Sequence, residues 1–252
     1  MKYVFFILLV SINSSFAQNM KIEIIAHRGA WKEFNLPQNS IASLQKAIEL
    51  KCFGSEFDVH LTKDNMVVVN HDHDFYGIDI ELNDLSELQK KQHPNGETIP
   101  TLGAYFNVGL QQNTTKLILE IKTSRIGGTS RTKKMIDVIA QIFPKEVHPS
   151  NLEFILFDYE SALYTKSRFP NYQVHYLNGD KTAKEIQTAG LDGMDYHYSL
   201  LIKDHTIVPS FNELNLKTNS WTVNDLTIAK QLKNQEINYL TTDYPKLFLE
   251  IF

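Results

Sequence analysis

Glu56 and Asp58 stand two apart in a stretch, residues 55–61, that alternates as a strand. Both carboxylates therefore leave one face while Phe57 and Val59 leave the other. Glu120 and Lys122 repeat that spacing at the end of a second strand-like run, 117–121, with Ile121 pointing away. Three carboxylates that converge on one point repel unless a cation lies between them, and oxygen donors suit a hard divalent ion such as Ca²⁺ or Mg²⁺. His27 ends the first β-rich run, and His71 opens the segment His71-Asp72-His73-Asp74 after a later one. An imidazole with an ordinary pKa of about 6.5 takes up or gives a proton near neutrality, so two of them can serve as acid and base. Arg28, beside His27, adds a planar cation suited to phosphate oxygens. Either pair, Glu56/Asp58 or Glu120/Lys122, taken alone reads more simply as a solvated strand face. His73, His93, His148, His175, His197 and His205 read as surface or packed side chains. A histidine-only zinc site fits less well, because the chain offers three carboxylates here and no thiolate.

The elements that must position these groups alternate along the chain. β-rich runs fall at 22–26, 55–61, 66–70, 117–121, 152–157, 172–177, 194–198, 221–223 and 239–241, and amphipathic stretches such as 134–143, 159–168, 183–189 and 225–235 separate most of them. Ser40 is a candidate N-cap for a helix carrying Ile41, Leu44, Ala47 and Ile48 at helical spacing. This alternation favours a parallel sheet, and about eight units in about 250 residues suit a closed TIM (β/α)8 barrel of one domain. An open doubly wound sheet fits less well, since no GxGxxG loop follows the first strand. Such a barrel builds its active site at the C-terminal ends of the strands, where both the Glu56/Asp58 and the Glu120/Lys122 pair are expected. Residues 74 to about 100 read as an excursion between barrel units.

Composition narrows the classes further. The 252 residues carry 25 Lys+Arg against 29 Asp+Glu, a net charge of −4, with 42% apolar and 21% charged types. This is ordinary globular chemistry, and no basic stretch is long enough to neutralise a row of phosphates, so no nucleic-acid partner is expected. A single cysteine, Cys52, excludes an intramolecular disulfide framework. Lys2, the apolar run 3–12 and Ser15-Phe16-Ala17 read as a signal peptide over residues 1–17, cut before Gln18. The run is shorter than the roughly 20 apolar residues of a spanning helix, although an uncleaved anchor is the alternative. The expected product is an exported chain of residues 18–252, periplasmic or secreted, with no stable membrane span.

His27-Arg28-Gly29, Pro37-Gln38-Asn39-Ser40, the run from Glu56 to Asp64, Val69-Asn70-His71-Asp72, Ile99-Pro100-Thr101-Leu102, Glu120-Ile121-Lys122, Trp221-Thr222-Val223-Asn224 and Thr242-Asp243-Tyr244-Pro245 follow one another in this order. Together they closely resemble the glycerophosphodiester phosphodiesterase family, a group of phospholipase C-like barrels. The resemblance implies a TIM barrel with a small inserted cap at about residues 74–116. It also implies hydrolysis of a small glycerophosphodiester to glycerol 3-phosphate and an alcohol, with passage through a cyclic phosphate permitted. Position by position it implies Glu56, Asp58 and Glu120 as ligands of Ca²⁺ or Mg²⁺, and His27 and His71 as the acid/base pair. Arg28 and Lys122 match groups near the phosphate, and Trp221 matches an aromatic wall beside the glycerol, although a plain core aromatic is nearly as good a reading. The sequence departs from the family at Gln38, where Glu is usual, at Phe75-Tyr76-Gly77, where an Arg-Thr-Thr-Gly type of segment is common, and at Leu156-Phe157, where Ser-Phe is common. Three rivals remain beside this reading: a phosphoinositide-cleaving phospholipase barrel, a glycoside hydrolase, and a non-catalytic exported binding protein of the same fold. Paired histidines with an Arg-Lys set suit phosphate better than sugar.

Overall fold

Short runs of aliphatic residues form a first strand, β1 (Glu23–Ala26), and ten more: β2 (Gly54–Leu61), β3 (Val67–Val69), β4 (Asp74–Phe75), β5 (Ile78–Asp79), β6 (Lys116–Ile121), β7 (Leu152–Leu156), β8 (Gln173–Tyr176), β9 (Gly193–His197), β10 (Lys217–Trp221) and β11 (Tyr239–Thr242). The computed structural model describes residues 21–145 and 147–252, so the expected signal peptide lies outside the described residues. Eight strands pair in parallel in the order β1-β2-β6-β7-β8-β9-β10-β11, and β11 returns to β1 through Ala26↔Thr242, which closes the barrel. β3 turns back antiparallel on the far end of β2, pairing Val59 with Val69, and is not a barrel stave.

Helices cover the outside. α1 (Ile41–Glu49) follows β1, α2 (Leu85–Leu88) lies in the excursion, and α3 (Leu102–Gly109) completes the second unit. α4 (Gly128–Ile142), α5 (Tyr159–Arg168), α6 (Ala183–Thr188), α7 (Tyr198–Lys203), α8 (Ile207–Glu213), α9 (Leu226–Asn234) and α10 (Pro245–Ile251) follow in turn. Their starts are chemically marked. Ser40 accepts from the Ser43 N–H at 3.0 Å, and Thr182 with Glu185 forms a reciprocal capping box. Leu44, Phe57, Tyr105, Ile136, Phe154, Phe211 and Phe248 fill the layer between sheet and helices, each buried side chain contributing about 1.5–3 kcal/mol. Inside the barrel a smaller set, Ile25, Ile118, Ile155, Leu177 and Tyr239, fills the lower part. Cys52 is fully buried, and burial pushes its thiol up to about 12, so it is a packing residue. No helix among the described residues is long and apolar enough to cross a membrane.

The excursion carries its own small core of Val68, Phe75, Ile80, Leu88 and Ile99. Tyr76 and Gly77 both have positive φ, the backbone of a two-residue hairpin turn, and link β4 to β5. Two buried or half-buried carboxylates pin the excursion to the barrel mouth. Glu97 accepts from the first N–H groups of α1 at 2.8 and 3.2 Å, and Glu81 accepts from Arg125 N at 2.9 Å. Leu102, Tyr105 and Phe106 of α3 belong to the main core, so the departure from the barrel ends near residue 100 and not at 116. β10 also begins at Lys217 and ends on Trp221, whereas the sequence pattern places a strand at 221–223.

Next to the mouth, His60 is 2% exposed and donates from Nε2 to the His71 carbonyl at 3.1 Å. Burial holds its pKa down at about 4, against the pull of that carbonyl. Below pH 6.5 the unfolded chain binds a proton that the folded chain refuses until about pH 4, so stability falls as pH drops through that window. Its contribution is of order 3 kcal/mol. Chemical denaturation of the wild type and of His60→Gln at pH 7 and pH 4.5 should show a shallower acid loss in the variant.

Candidate active site

The turn after β1 sets the site. Gly29 adopts φ +79°, and a Cβ there would lie 2.4 Å from Ser43 Oγ, so the chain can pass α1 closely only with glycine. Arg28 also lies in the left-handed region, at φ 56°, which turns its N–H onto Glu56 Oε2 at 2.8 Å. Such backbone is costly for a non-glycine residue and tends to occur where function requires it. Asn39, at φ 59°, grips Asp58 twice, donating from Nδ2 to Oδ2 at 2.8 Å and accepting from the Asp58 N–H at 3.1 Å. The register Asp58↔Glu120 between β2 and β6 then places the Glu120/Lys122 pair beside the two carboxylates of β2.

The described residues contain one acidic trio with metal-ligand spacing, Glu56, Asp58 and Glu120, whose ligand oxygens lie within 4.8 Å of one another. All three are buried, and Glu56 Oε1 has no hydrogen-bond partner among the described residues. Burial, reinforced by Asp58 and Glu120, drives the Glu56 carboxyl well above the usual carboxylate range. Burial and the Asp58 charge raise Glu120 to about 7 against the pull of Lys122. Asp58 goes the other way: burial opposes its ionisation, but Lys122, His71 and Arg28 outweigh it. Lys122 Nζ bridges Asp58 at 2.7 Å and Glu120 at 2.6 Å. A crowded carboxylate trio with an unpartnered buried oxygen fits a hard divalent ion.

His27, Arg28, Glu56, His71, Glu120, Lys122 and Trp221 all line one cavity of 130 Å³ above the barrel core, with Asp58 held against it by Lys122 and Arg28. Its remaining walls are Ile155, Phe157, Leu177, Asp195, Thr222 and Thr241. Trp221 faces this cavity, its indole N–H donating to the Asp195 carbonyl at 2.9 Å and its ring edge-on to Phe157 at 5.5 Å. Leu156 turns the other way into the helix-side core. Gln38 accepts from Arg28 Nη1 at 2.7 Å. The neutral amide orients the guanidinium without cancelling its charge, as a glutamate there would.

The structure adds residues that spacing did not reveal. Asp243 accepts from His27 Nδ1 at 2.7 Å, and also from Asn224 Nδ2 at 2.9 Å and Lys32 Nζ at 3.3 Å. Burial resists its ionisation, but the hydrogen bond and charge of His27, with Asn224 and Lys32, bring its pKa down to about 2. An ionised Asp243 fixes the proton of His27 on Nδ1 and leaves Nε2 for exchange. Asp243→Asn is expected to lower kcat about 100-fold with KM little changed, because the amide no longer selects that tautomer. Steady-state kinetics on the purified variant checks this. Asp195 is a cavity-wall acid that the sequence did not announce, and burial pushes its carboxyl well above the usual range, opposed by the Asn219 amide beside it. The quoted motif Thr242-Asp243-Tyr244-Pro245 contained the signal for Asp243, whereas nothing in the sequence marked Asp195.

A groove of 460 Å³ lined by Asp72, His73, Asp74, Thr123 and Arg125 shares His71, Glu120, Lys122 and Phe157 with this cavity. A second of 530 Å³, lined by Trp31, Gln38, Asn70, Tyr76 and Asn95 among others, meets the first at Asp72 and Asp74.

Comparison with known proteins identifies the family and the fold. Residues 27–247 match the model of the glycerophosphoryl diester phosphodiesterase family. A glycerophosphodiester phosphodiesterase structure from Parabacteroides distasonis superposes with a TM-score of 0.87 at 33% identity, covering 91% of this chain and 96% of that one. An Oleispira antarctica phosphodiesterase, solved with the product sn-glycerol-3-phosphate, gives a TM-score of 0.75 at 25% identity over 90% of this chain and 95% of that one. The Bacillus subtilis protein YhdW is 27% identical over 258 residues, 90% of this chain and 96% of its own length. The chain is a TIM-barrel member of the glycerophosphoryl diester phosphodiesterase family.

Proposed function

We propose that this chain is an exported, divalent-metal-dependent hydrolase that cleaves glycerophosphodiesters to glycerol 3-phosphate and an alcohol. The observation that carries the reading is the meeting of two imidazoles, buried carboxylates and two cations on a single cavity. Glu56, Asp58 and Glu120 would hold Ca²⁺ or Mg²⁺, which when bound offsets the charge that develops on the phosphoryl oxygens. Arg28 and Lys122 orient the phosphate from the same side.

Proton traffic falls to the histidines. Burial above all lowers the pKa of His71, against the pull of Asp58, so its imidazole is neutral at pH 7 and suits the first proton acceptor. Its Nδ1 meets Asp72 at 2.8 Å, which leaves Nε2 to take the proton of the attacking hydroxyl. His27, oriented by Asp243, gives a proton to the departing alkoxide from Nε2. With the neighbouring glycerol hydroxyl as nucleophile, a cyclic phosphate forms, and water opens it with the two histidines exchanging roles. The released alcohol leaves through the grooves beside His71. Export rests on the pattern of residues 2–17.

The test is direct. The purified chain, supplied with Ca²⁺ or Mg²⁺ and glycerophosphoethanolamine, should release glycerol 3-phosphate and ethanolamine in equal amounts. Release of free glycerol and phosphoethanolamine, or no turnover of any glycerophosphodiester, would reject the reading.

A further inference from the structure

The Asp195 carboxyl belongs to the cavity wall, is 2% exposed, and leaves Oδ1 without a hydrogen-bond partner among the described residues. Buried polar atoms are nearly always partnered, so an exception on the wall of a cavity points to a ligand. Its neighbour across the β9–β10 register is Asn219, whose amide lies beside the carboxyl but does not partner Oδ1. The Asn219 amide donates to Thr241 Oγ1 at 2.9 Å, and its carbonyl accepts from Ser220 N at 2.8 Å. The Asp195 main chain meanwhile fixes the Trp221 indole at 2.9 Å.

The cavity is therefore two-ended. Strands β1, β2 and β6 bring the cations and the acidic trio to one side. The opposite side, from β7 round to β11, offers aromatic and aliphatic surface around the Asp195 carboxyl and Thr241, and carries no lysine or arginine. A short polyol has this mixed character, with apolar C–H faces and hydroxyls that exchange hydrogen bonds.

We propose that Asp195 is a substrate-binding residue that hydrogen-bonds a hydroxyl of the glycerol unit, with the Trp221 indole covering the carbon chain. The assignment rests on the phosphodiesterase reading above and goes beyond it by naming the group that selects a polyol over a plain alkyl chain.

Calorimetric titration of the Mg²⁺- or Ca²⁺-loaded chain with sn-glycerol 3-phosphate and with n-propyl phosphate, which lacks both hydroxyls, tests it. Wild type should prefer glycerol 3-phosphate by about 10–100-fold. Asp195→Ala should bring the two ligands within about threefold of each other by weakening glycerol 3-phosphate alone, and Asp195→Asn, which keeps a hydrogen-bonding group, should restore part of the preference. Unchanged discrimination in Asp195→Ala, equal affinity of both ligands for wild type, or equal loss of both ligands in the variant overturns the assignment and leaves the phosphodiesterase reading standing. Wild type that binds neither phosphomonoester overturns both.

Discussion

His71→Ala should lower kcat for glycerophosphodiester cleavage by about a thousandfold, and His27→Ala by a similar factor, with little change in the folded state. Neither ring is part of the hydrophobic core. The side chain of His27 is 16% exposed and that of His71 33%, and both face the cavity. In the proposed mechanism, truncating His71 removes the group that accepts the proton of the attacking hydroxyl, and truncating His27 removes the group that protonates the leaving alkoxide. Asp243 keeps its contacts with Asn224 and Lys32 when His27 is cut back, so its charge stays partnered. Because the two rings act on one reaction, the double variant should fall far short of the product of the single losses. Circular dichroism and steady-state kinetics on the three variants measure both halves of the expectation. Turnover near the wild-type level in either single variant would remove that histidine from the chemistry.

Metal removal should have an effect of the same order. A chelator is expected to cut turnover by at least about a thousandfold, with recovery on adding Ca²⁺ or Mg²⁺. The reason lies in the carboxylates. Burial and the neighbouring carboxylates raise Glu56 and Glu120 above the usual carboxylate range, and a bound divalent ion would let the trio ionise together. Glu56→Gln should then raise the metal concentration needed for half-maximal rate by about 10–100-fold. The same experiment separates this enzyme from a two-carboxylate glycoside hydrolase on the same fold, which would keep its activity in chelator.

Much of the barrel was legible because its strands carry β-branched and aliphatic runs. Residues 159–168 were expected as a helix and form α5, and β2, β6 and β11 lie within a residue of their expected bounds. β10 was misplaced for a physical reason. Its inward residues Lys217 and Asn219 and its buried Thr218 and Ser220 are polar, so a strand buried on both faces carried no apolar signal before Trp221. α4 begins at Gly128, six residues before its expected start, because the Gly127-Gly128-Thr129-Ser130 opening resembles a loop. β3 looked like a stave but is a hairpin arm, since a three-valine run does not say which direction the chain takes. The acid trio was visible from its period of two. Asp243 and Asp195 were harder, because each acts on groups distant in sequence: 216 residues separate Asp243 from the histidine it orients. Gln38 was visible as a departure, but its grip on Arg28 became apparent only from the backbone turn that brings them together.

In the proposed site three acids from two neighbouring strands enclose one divalent ion beside the two histidines. Calorimetric titration of Ca²⁺ and Mg²⁺ into metal-free protein examines this. One ion should bind per chain, raise the melting temperature, and fail to bind when Glu56 and Glu120 are both changed to glutamine. Wild type that binds neither ion and still releases glycerol 3-phosphate in the presence of chelator would contradict it.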